Sequence, residues 1–145
     1  MPAHSIPQQV VAHIDGASRG NPGPAAYGVV LESEDGAPVA TCSKTLGHTT
    51  NNVAEYHALL AALDYAVEHN VRRLKVLTDS ELLARQIQGA YKVKSPDLKP
   101  LYERARSAIA RLESFSIQHV RREQNSEADR LANLALDDAK RGTKL

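Results

Sequence analysis

The pattern of hydrophobic residues differs between the two sides of residue 50. Before that point, short apolar runs end at glycine, proline or acidic residues, a pattern that predicts strands. The predicted strands are residues 10–14, 27–31 and 39–45, the last with residues 46–49 as an alternative extension. Beyond residue 50, apolar residues at helical spacing alternate with short apolar runs. These predict helices at residues 52–69, 79–88, 97–112 and 126–138, and strands at residues 74–78 and 115–120.

The order of these elements predicts an α/β fold. Three strands joined by short connections indicate an antiparallel meander. The strand and helix units that follow can supply right-handed crossovers, which parallel neighbours require. We therefore expect one mixed sheet covered by helices, with candidate site residues gathered at the carboxyl ends of its parallel strands.

Composition is that of an ordinary globular domain, with 145 residues of which 42% are hydrophobic and 24% charged. The formal net charge of +1 does not by itself indicate a nucleic-acid-binding protein, so a polyanion would need a local basic patch or a bound metal. The single cysteine, Cys42, excludes an internal disulfide and fits a reducing compartment. No apolar stretch is long enough to span a bilayer, so we expect a cytoplasmic protein without membrane contact. Nothing in the sequence suggests more than a monomer.

The helix predicted after residue 52 carries one acid, Glu55, on its apolar side, beside Leu59 and Ala62. Burying an ionised carboxylate without a partner is costly, so Glu55 should meet a cation, a metal ion or a strong donor. Alternatively, the acid is there because negative charge is favourable near a helix N-terminus. Position alone does not decide between these interpretations.

Four acids share a place at element boundaries. Asp15 ends the first predicted strand, Glu55 begins the long helix, Asp79 ends the fourth strand and Asp129 begins the last helix. Each has an ordinary explanation: Asp15 as a turn former, Asp79 within a capping box from Thr78, and Asp129 as a first-turn acid. Separate explanations leave their expected convergence on one rim unaccounted for.

Convergent carboxylates have a chemical meaning, because they repel one another unless cations neutralise them. Hard oxygen ligands favour Mg²⁺ or Mn²⁺. Two such ions about 4 Å apart can activate a water on one side of a phosphodiester and stabilise the leaving oxygen on the other. The sequence offers no convincing set of residues for nucleophilic catalysis, and this mechanism requires none.

Four segments, in this order, resemble type 1 ribonucleases H. They are residues 15–24 (DGASRGNPGP), 50–55 (TNNVAE), 78–80 (TDS) and 125–133 (NSEADRLAN). The resemblance implies a ribonuclease H-like fold: a five-stranded mixed sheet, with strands 1–3 antiparallel and strands 1, 4 and 5 parallel, flanked by helices. It also implies a catalytic domain over residues 10–138, with a flexible tail at residues 1–9 and a frayed tail at residues 139–145.

The resemblance further implies a two-metal endonuclease that cuts the RNA strand of an RNA/DNA hybrid and leaves 5′-phosphate and 3′-hydroxyl ends. By position, Asp15 would bridge both ions, Glu55 and Asp79 would complete one side and hold the water, and Asp129 would ligate the other ion. Short polar side chains beside the acids suit phosphate oxygens and the 2′-hydroxyl of RNA. The implied substrate-binding residues are Gly16, Ser18, Arg19, Asn21, Thr50, Asn51, Asn52 and Ser80. For Asn51 and Asn52, helix capping is the alternative, and Gly16 could serve only to shape a hairpin.

The chain departs from the family pattern in two places. Many relatives carry a histidine in a loop ahead of the last acid, whereas residues 121–125 here read RREQN. Arg122 is the candidate to take over part of that task by contacting the scissile phosphate, with a solvated surface charge as the alternative. His119 precedes this loop and is interpreted as structural. The basic handle of some relatives is also absent, so we expect a modest, salt-sensitive affinity for hybrid.

Two other functions remain open at this point. A non-catalytic nucleic-acid-binding domain with the same fold would be favoured if one of the acids were missing, yet all four are present. A different metal-dependent phosphoesterase, such as an integrase or a resolvase, would keep the fold and change the substrate.

Overall fold

The computed structural model describes residues 8–142, which form one sheet with helices on it. The strands are β1 (Gln9–Ser18), β2 (Gly23–Ser33), β3 (Pro38–Thr49), β4 (Arg73–Thr78) and β5 (Ser114–His119). The α-helices are α1 (Asn51–Glu68), α2 (Glu81–Gln88), α3 (Lys99–Ile109) and α4 (Ser126–Gly142), and a 3₁₀ turn spans Arg122–Asn125. The strand order is β3-β2-β1-β4-β5. Pairing is antiparallel between β1, β2 and β3 and parallel between β1, β4 and β5, which confirms the predicted five-stranded mixed sheet.

The first strand is longer than predicted, so Asp15 lies inside it rather than at its end. Asp15 pairs with Gly28 of β2, and this ladder continues to Ser18. The parallel ladder between β1 and β4 stops earlier, at Ile14 opposite Thr78. Strands β1 and β2 therefore both extend past the predicted ranges 10–14 and 27–31, because their mutual pairing holds small and polar residues in extended backbone.

Helix α1 supplies most of the core on one face of the sheet. Leu59 and Leu63 on this helix are fully buried with Ile14 of β1. The helix is capped by Thr50, whose hydroxyl accepts a hydrogen bond from Val53 N at 3.2 Å. Capping by Asn51 or Asn52, the alternative considered from sequence, is therefore wrong.

Two glycines let helices approach β1 and β2 closely. A Cβ at Gly16 would overlap the backbone of Ala54 and Glu55 in α1. A Cβ at Gly28 would overlap the carbonyl of Ala128 in α4. Since Asp15 pairs with Gly28 and precedes Gly16, both helices contact the sheet beside the same acid.

The remaining boundaries differ modestly from expectation. Helix α2 is capped by Ser80, which accepts from Leu83 N at 3.1 Å, so the predicted capping box starting at Thr78 is wrong. Helix α3 is shorter than the predicted 97–112. Helix α4 continues to Gly142, so residues 139–142 are helical rather than frayed. Residues 1–7 of the predicted N-terminal tail and residues 143–145 lie outside the described residues. Within residues 8–142, no helix is both long and apolar enough to cross a bilayer.

Candidate active site

The four acids meet where β1 and β4 diverge. Asp15, Glu55 and Asp79 each offer a carboxylate oxygen, and these oxygens all lie within 4.8 Å of one another. Asp129 lines the same cleft, which has a volume of about 490 Å³. The expected convergence on one rim is therefore observed, and it brings together a residue of β1, the residue that follows β4, and one residue from each of two helices.

Glu55 is buried, as its position on the helical wheel predicted, with only 3% of its surface exposed. The backbone N–H of Gly16 donates a hydrogen bond to its Oε1 atom. Burial raises the pKa of Glu55 to about 8, and the charge of Asp79 adds to the rise, while hydrogen bonds from Gly16 and Ser80 oppose it. The two donors therefore offset only part of the cost of burying this carboxyl.

Asp15 is the most strongly perturbed acid of the cluster. Burial is the largest cause that raises its pKa to about 9, followed by the negative charges of Glu55 and Asp79. A hydrogen bond with the Asp129 carboxyl and the charge of that residue raise it further. Proton uptake or a bound cation would relieve this repulsion.

The donor set fits a hard divalent cation. Carboxylate oxygens are the ligands that Mg²⁺ and Mn²⁺ prefer, and three of them already lie within the reach of one ion. Asp79 and Asp129 are half-buried and face the cleft, so their carboxylates are accessible from solvent. Asp15 and Glu55 are the buried acids of the same cluster.

The residues predicted to bind substrate fall into two groups. Gly16, Ser18, Arg19, Asn51 and Ser80 line the cleft with the acids. The other three, Asn21, Thr50 and Asn52, do not line the cleft. The first two make hydrogen bonds that stabilise the backbone at its edge. The side-chain oxygen of Asn21 accepts from Asn51 N at 3.1 Å, which fastens the β1–β2 turn to the start of α1. Thr50 caps that helix.

The two candidate arginines have different surroundings. The guanidinium of Arg19 lies 2.7 Å from an Asp137 carboxylate oxygen and 3.3 Å from the Asn133 carbonyl, so it also ties the β1–β2 turn to α4. Arg122 is exposed and lines the cleft from the 3₁₀ turn.

Three cleft or cleft-adjacent residues were missed or misjudged from sequence. His119 is exposed at the cleft, because the register of β5 places it opposite Thr78, next to Asp79. The interpretation of His119 as structural is therefore wrong, because sequence alone does not give the register of β5 against β4. Asn125, at the end of the 3₁₀ turn, and Asn133, in α4, lie four residues before and after Asp129, a spacing that could have revealed them.

Two features together define the ribonuclease H-like class of folds. They are a mixed sheet of this strand order and a cluster of carboxylates where β1 and β4 diverge. A family described as reverse transcriptase-like matches residues 13–135. Ribonuclease HI of Halobacterium salinarum is 49% identical over 131 residues, which are 90% of this chain and 66% of the relative. A bifunctional protein of Mycobacterium tuberculosis is 46% identical over 132 residues, which are 90% of this chain and 36% of the relative.

Solved structures agree with these relationships. The N-terminal RNase H domain of the Mycobacterium tuberculosis protein has a TM-score of 0.89 at 43% identity, covering 93% of this chain and 98% of that one. RNase H1 of Halobacterium salinarum has a TM-score of 0.87 at 48% identity, covering 90% and 98%. LC11-RNase H1, solved in complex with an RNA/DNA hybrid, has a TM-score of 0.85 at 41% identity, covering 90% and 98%. This chain belongs to the type 1 ribonuclease H family.

Proposed function

We propose that this chain is an endoribonuclease that hydrolyses the RNA strand of RNA/DNA hybrids with two Mg²⁺ or Mn²⁺ ions. The observation that carries the proposal is the cluster of Asp15, Glu55 and Asp79, whose oxygens lie within 4.8 Å of one another although two of these side chains are buried. Family membership supports the substrate class, since one relative was solved with an RNA/DNA hybrid. The chain spans 66% of its archaeal relative and 36% of its mycobacterial one, so the activity is proposed for this domain.

Each of the four acids would bind one or both of the ions. Asp15 would contact both, Glu55 and Asp79 would complete one side, and Asp129 would ligate the other ion. When bound, such ions lower the pKa of a water and stabilise the leaving oxygen. Adding water across the bond between phosphorus and the 3′ oxygen leaves a 5′-phosphate on one product and a 3′-hydroxyl on the other. The N–H of Gly16 holds Glu55 in place for this task.

Strand selection would come from polar groups around the cleft. Asn51 lies at the rim, where the side chain of Asn21 fixes its backbone. A short amide there can pair with a 2′-hydroxyl, the group that distinguishes RNA from DNA. Gly16, Ser18 and Ser80 offer backbone or hydroxyl donors to phosphate oxygens in the same cleft. Thr50 and Asn52 would extend these contacts beyond the cleft.

Arg122 would contact the scissile phosphate in place of the loop histidine. It is an exposed cation at the cleft, on a turn fixed next to the acid cluster. Arg122→Ala should lower kcat about tenfold or more with a smaller change in KM, because the contact would strengthen as charge develops. Arg85→Ala, an exposed arginine outside the cleft, is the control. Equal kinetics for the two variants would remove Arg122 from the mechanism.

The central experiment incubates the protein with end-labelled hybrid in Mg²⁺ or Mn²⁺ and identifies the termini of the fragments. We expect cuts in the RNA strand alone, with 5′-phosphate and 3′-hydroxyl ends. Hybrid binding without cleavage would instead select the non-catalytic domain. Cleavage of duplex DNA or of junctions, with hybrid left intact, would select another phosphoesterase.

We also propose that the domain acts as a monomer in the cytoplasm. All four acids come from one chain, so the cluster needs no second subunit. The single cysteine fits a reducing compartment. Sedimentation equilibrium at the concentrations used for cleavage should give the mass of one chain, and a dimer would contradict the first half of this proposal.

A further inference from the structure

Asn125 is an unusual residue in this molecule, because it is a polar side chain that is 99% buried and only half satisfied. Its exposed fraction is 1%. Its Nδ2 atom donates a hydrogen bond to the carbonyl oxygen of Ile14 at 2.7 Å. Its Oδ1 atom has no hydrogen-bond partner among the residues that the structure describes. Burying an unpaired acceptor opposes folding, so stability alone does not explain an asparagine here.

The position of this hydrogen bond suggests its use. Ile14 immediately precedes Asp15 and is the last residue of β1 in register with β4. Asn125 precedes Asp129 by four residues, one turn of helix. A single buried hydrogen bond therefore joins the backbone beside one acid to the turn that leads into another.

Neighbouring contacts make this bond an anchor for a closed turn. Arg121 N donates to the side-chain oxygen of Gln124 at 3.1 Å, and Gln124 N donates to the Arg121 carbonyl at 2.9 Å. These two hydrogen bonds stabilise the 3₁₀ turn internally, and the Asn125 side chain attaches the turn to the sheet. Any movement of this turn would carry Arg122 as well as the start of α4.

Apolar packing cannot supply the same constraint. Helix α4 lies against β2 where Gly28 leaves room for the backbone of Ala128, which sets how closely the helix approaches the sheet. The hydrophobic effect that drives this contact is non-directional, so it does not itself select one hydrogen-bonding partner on the sheet. A hydrogen bond of 2.7 Å has a preferred direction and length, so it opposes sliding along the sheet.

We infer that Asn125 is a positioning residue, which fixes Asp129 relative to Asp15 and thereby tunes the affinity of the acid cluster for divalent cations. The inference rests on the proposed function only for its kinetic readout, because cation binding can be measured without substrate. Asn125 acts through Asp129 and would itself touch neither ion nor hybrid.

The test compares Asn125→Ala with Gln88→Ala in the full chain. Gln88 makes the same kind of bond, from its side-chain amide to the Ile117 carbonyl at 2.8 Å, but it does not line the cleft. Mn²⁺ binding is titrated by calorimetry, and cleavage of hybrid is measured across Mn²⁺ concentrations. Asn125→Ala should raise the Mn²⁺ midpoint about tenfold, the usual scale for residues that orient a metal ligand. Gln88→Ala removes a side-chain hydrogen bond to a strand carbonyl away from the cleft, so it should leave the midpoint within about twofold.

A double-mutant cycle with Asp129→Asn separates positioning from general destabilisation. If Asn125 acts through Asp129, Asn125→Ala should shift the midpoint much less in the Asp129→Asn background. Additive shifts, or an unchanged midpoint in Asn125→Ala, would overturn the inference. Should Asn125→Ala fail to fold, Asn125→Ser decides the same comparison. A wild type that binds Mn²⁺ but leaves hybrid intact would overturn the proposed function, and calorimetry would still judge Asn125.

Discussion

The acid cluster has a buried half and an open half. Asp15 and Glu55 expose only 5% and 3% of their surface, and they lie where β1 meets the first turn of α1. Asp79 and Asp129 are half-buried and lie just beyond β4 and at the start of α4. The buried half is held by backbone contacts at Gly16, whereas the open half faces the cleft.

This difference separates the acids with perturbed pKa values from the acids that are accessible to solvent. Burial raises the pKa of Asp15 to about 9 and that of Glu55 to about 8, so at neutral pH the metal-free fold resists ionising this half. A divalent cation bound by these carboxylates would displace the protons and neutralise the repulsion within the buried half. The open half presents two further carboxylates to the cleft without burying them.

The largest expected effect comes from neutralising the centre of the buried half. Asp15→Asn should lower cleavage about a thousandfold or more, because the residue proposed to contact both ions loses its charge. The metal-free protein should nevertheless melt at a higher temperature, since the repulsion with Glu55 and Asp79 disappears. Cleavage assays and calorimetry measure the two effects. Asp97→Asn, an exposed acid outside the cleft, is the matched control and should change neither.

The glycine beneath the open half is the next target. Gly28→Ala should destabilise the fold by about 1–3 kcal/mol, because its Cβ would meet the backbone of α4. That corresponds to a fall of about 2–4 °C in melting temperature per kcal/mol. Gly36 lies in an open turn at φ +87°, so Gly36→Ala bears only backbone strain and should cost less. The expectation is that the close packing of α4 against Gly28 holds Asp129 in position. Cleavage that fell no further in Gly28→Ala than in Gly36→Ala would exclude this role.

The two halves also differ in how far the sequence could predict them. The burial of Glu55 follows from its spacing to Leu59 and Ala62, which is local and periodic. The sheet and its strand directions follow from element order. The setting of Asp15 within a strand does not, because Asp-Gly followed by a proline-rich segment is typical of a turn, and pairing with β2 overrides it.

Residues that connect distant segments were the hardest to predict. The buried hydrogen bond of Asn125 was not predicted, because its partner Ile14 is 111 positions away in the sequence. His119 looked structural, because its place at the cleft depends on the register between β4 and β5. Ser80 rather than Thr78 caps α2, a choice that depends on how the chain leaves β4. Sequence periodicity specifies faces of elements, whereas these positions depend on how elements meet.

The dependence of stability on pH tests the buried half directly. The ordinary pKa values are 3.8 for Asp15 and 4.5 for Glu55, and folding raises both. Between those values and the raised ones, the folded state holds protons that the unfolded state releases, so the free energy of unfolding falls as pH rises. We expect the melting temperature of metal-free protein to fall between about pH 5 and pH 9, where the raised pKa values lie.

Two comparisons isolate the cause of that fall. Asp15→Asn should flatten the pH dependence, since it removes the more strongly perturbed group. Saturating Mn²⁺ should also flatten it, because the cation replaces the protons. A melting temperature that rose over this pH range in the metal-free protein would contradict the assigned direction of both shifts.

The smallest expected effect concerns Arg19, which borders the open half. Its pairing with Asp137 joins side chains that are 40% and 50% exposed, so losing it should change stability by only about 0.2–1 kcal/mol. If Arg19 also contacts a hybrid phosphate, Arg19→Ala should weaken binding and reduce the slope of log K against log salt by about one. Asp137→Asn removes the same ion pair but keeps the cation, so it should preserve the slope. Hybrid binding measured over a series of salt concentrations separates the two variants. Equal slopes for both would show that Arg19 contacts α4 and does not contact a hybrid phosphate.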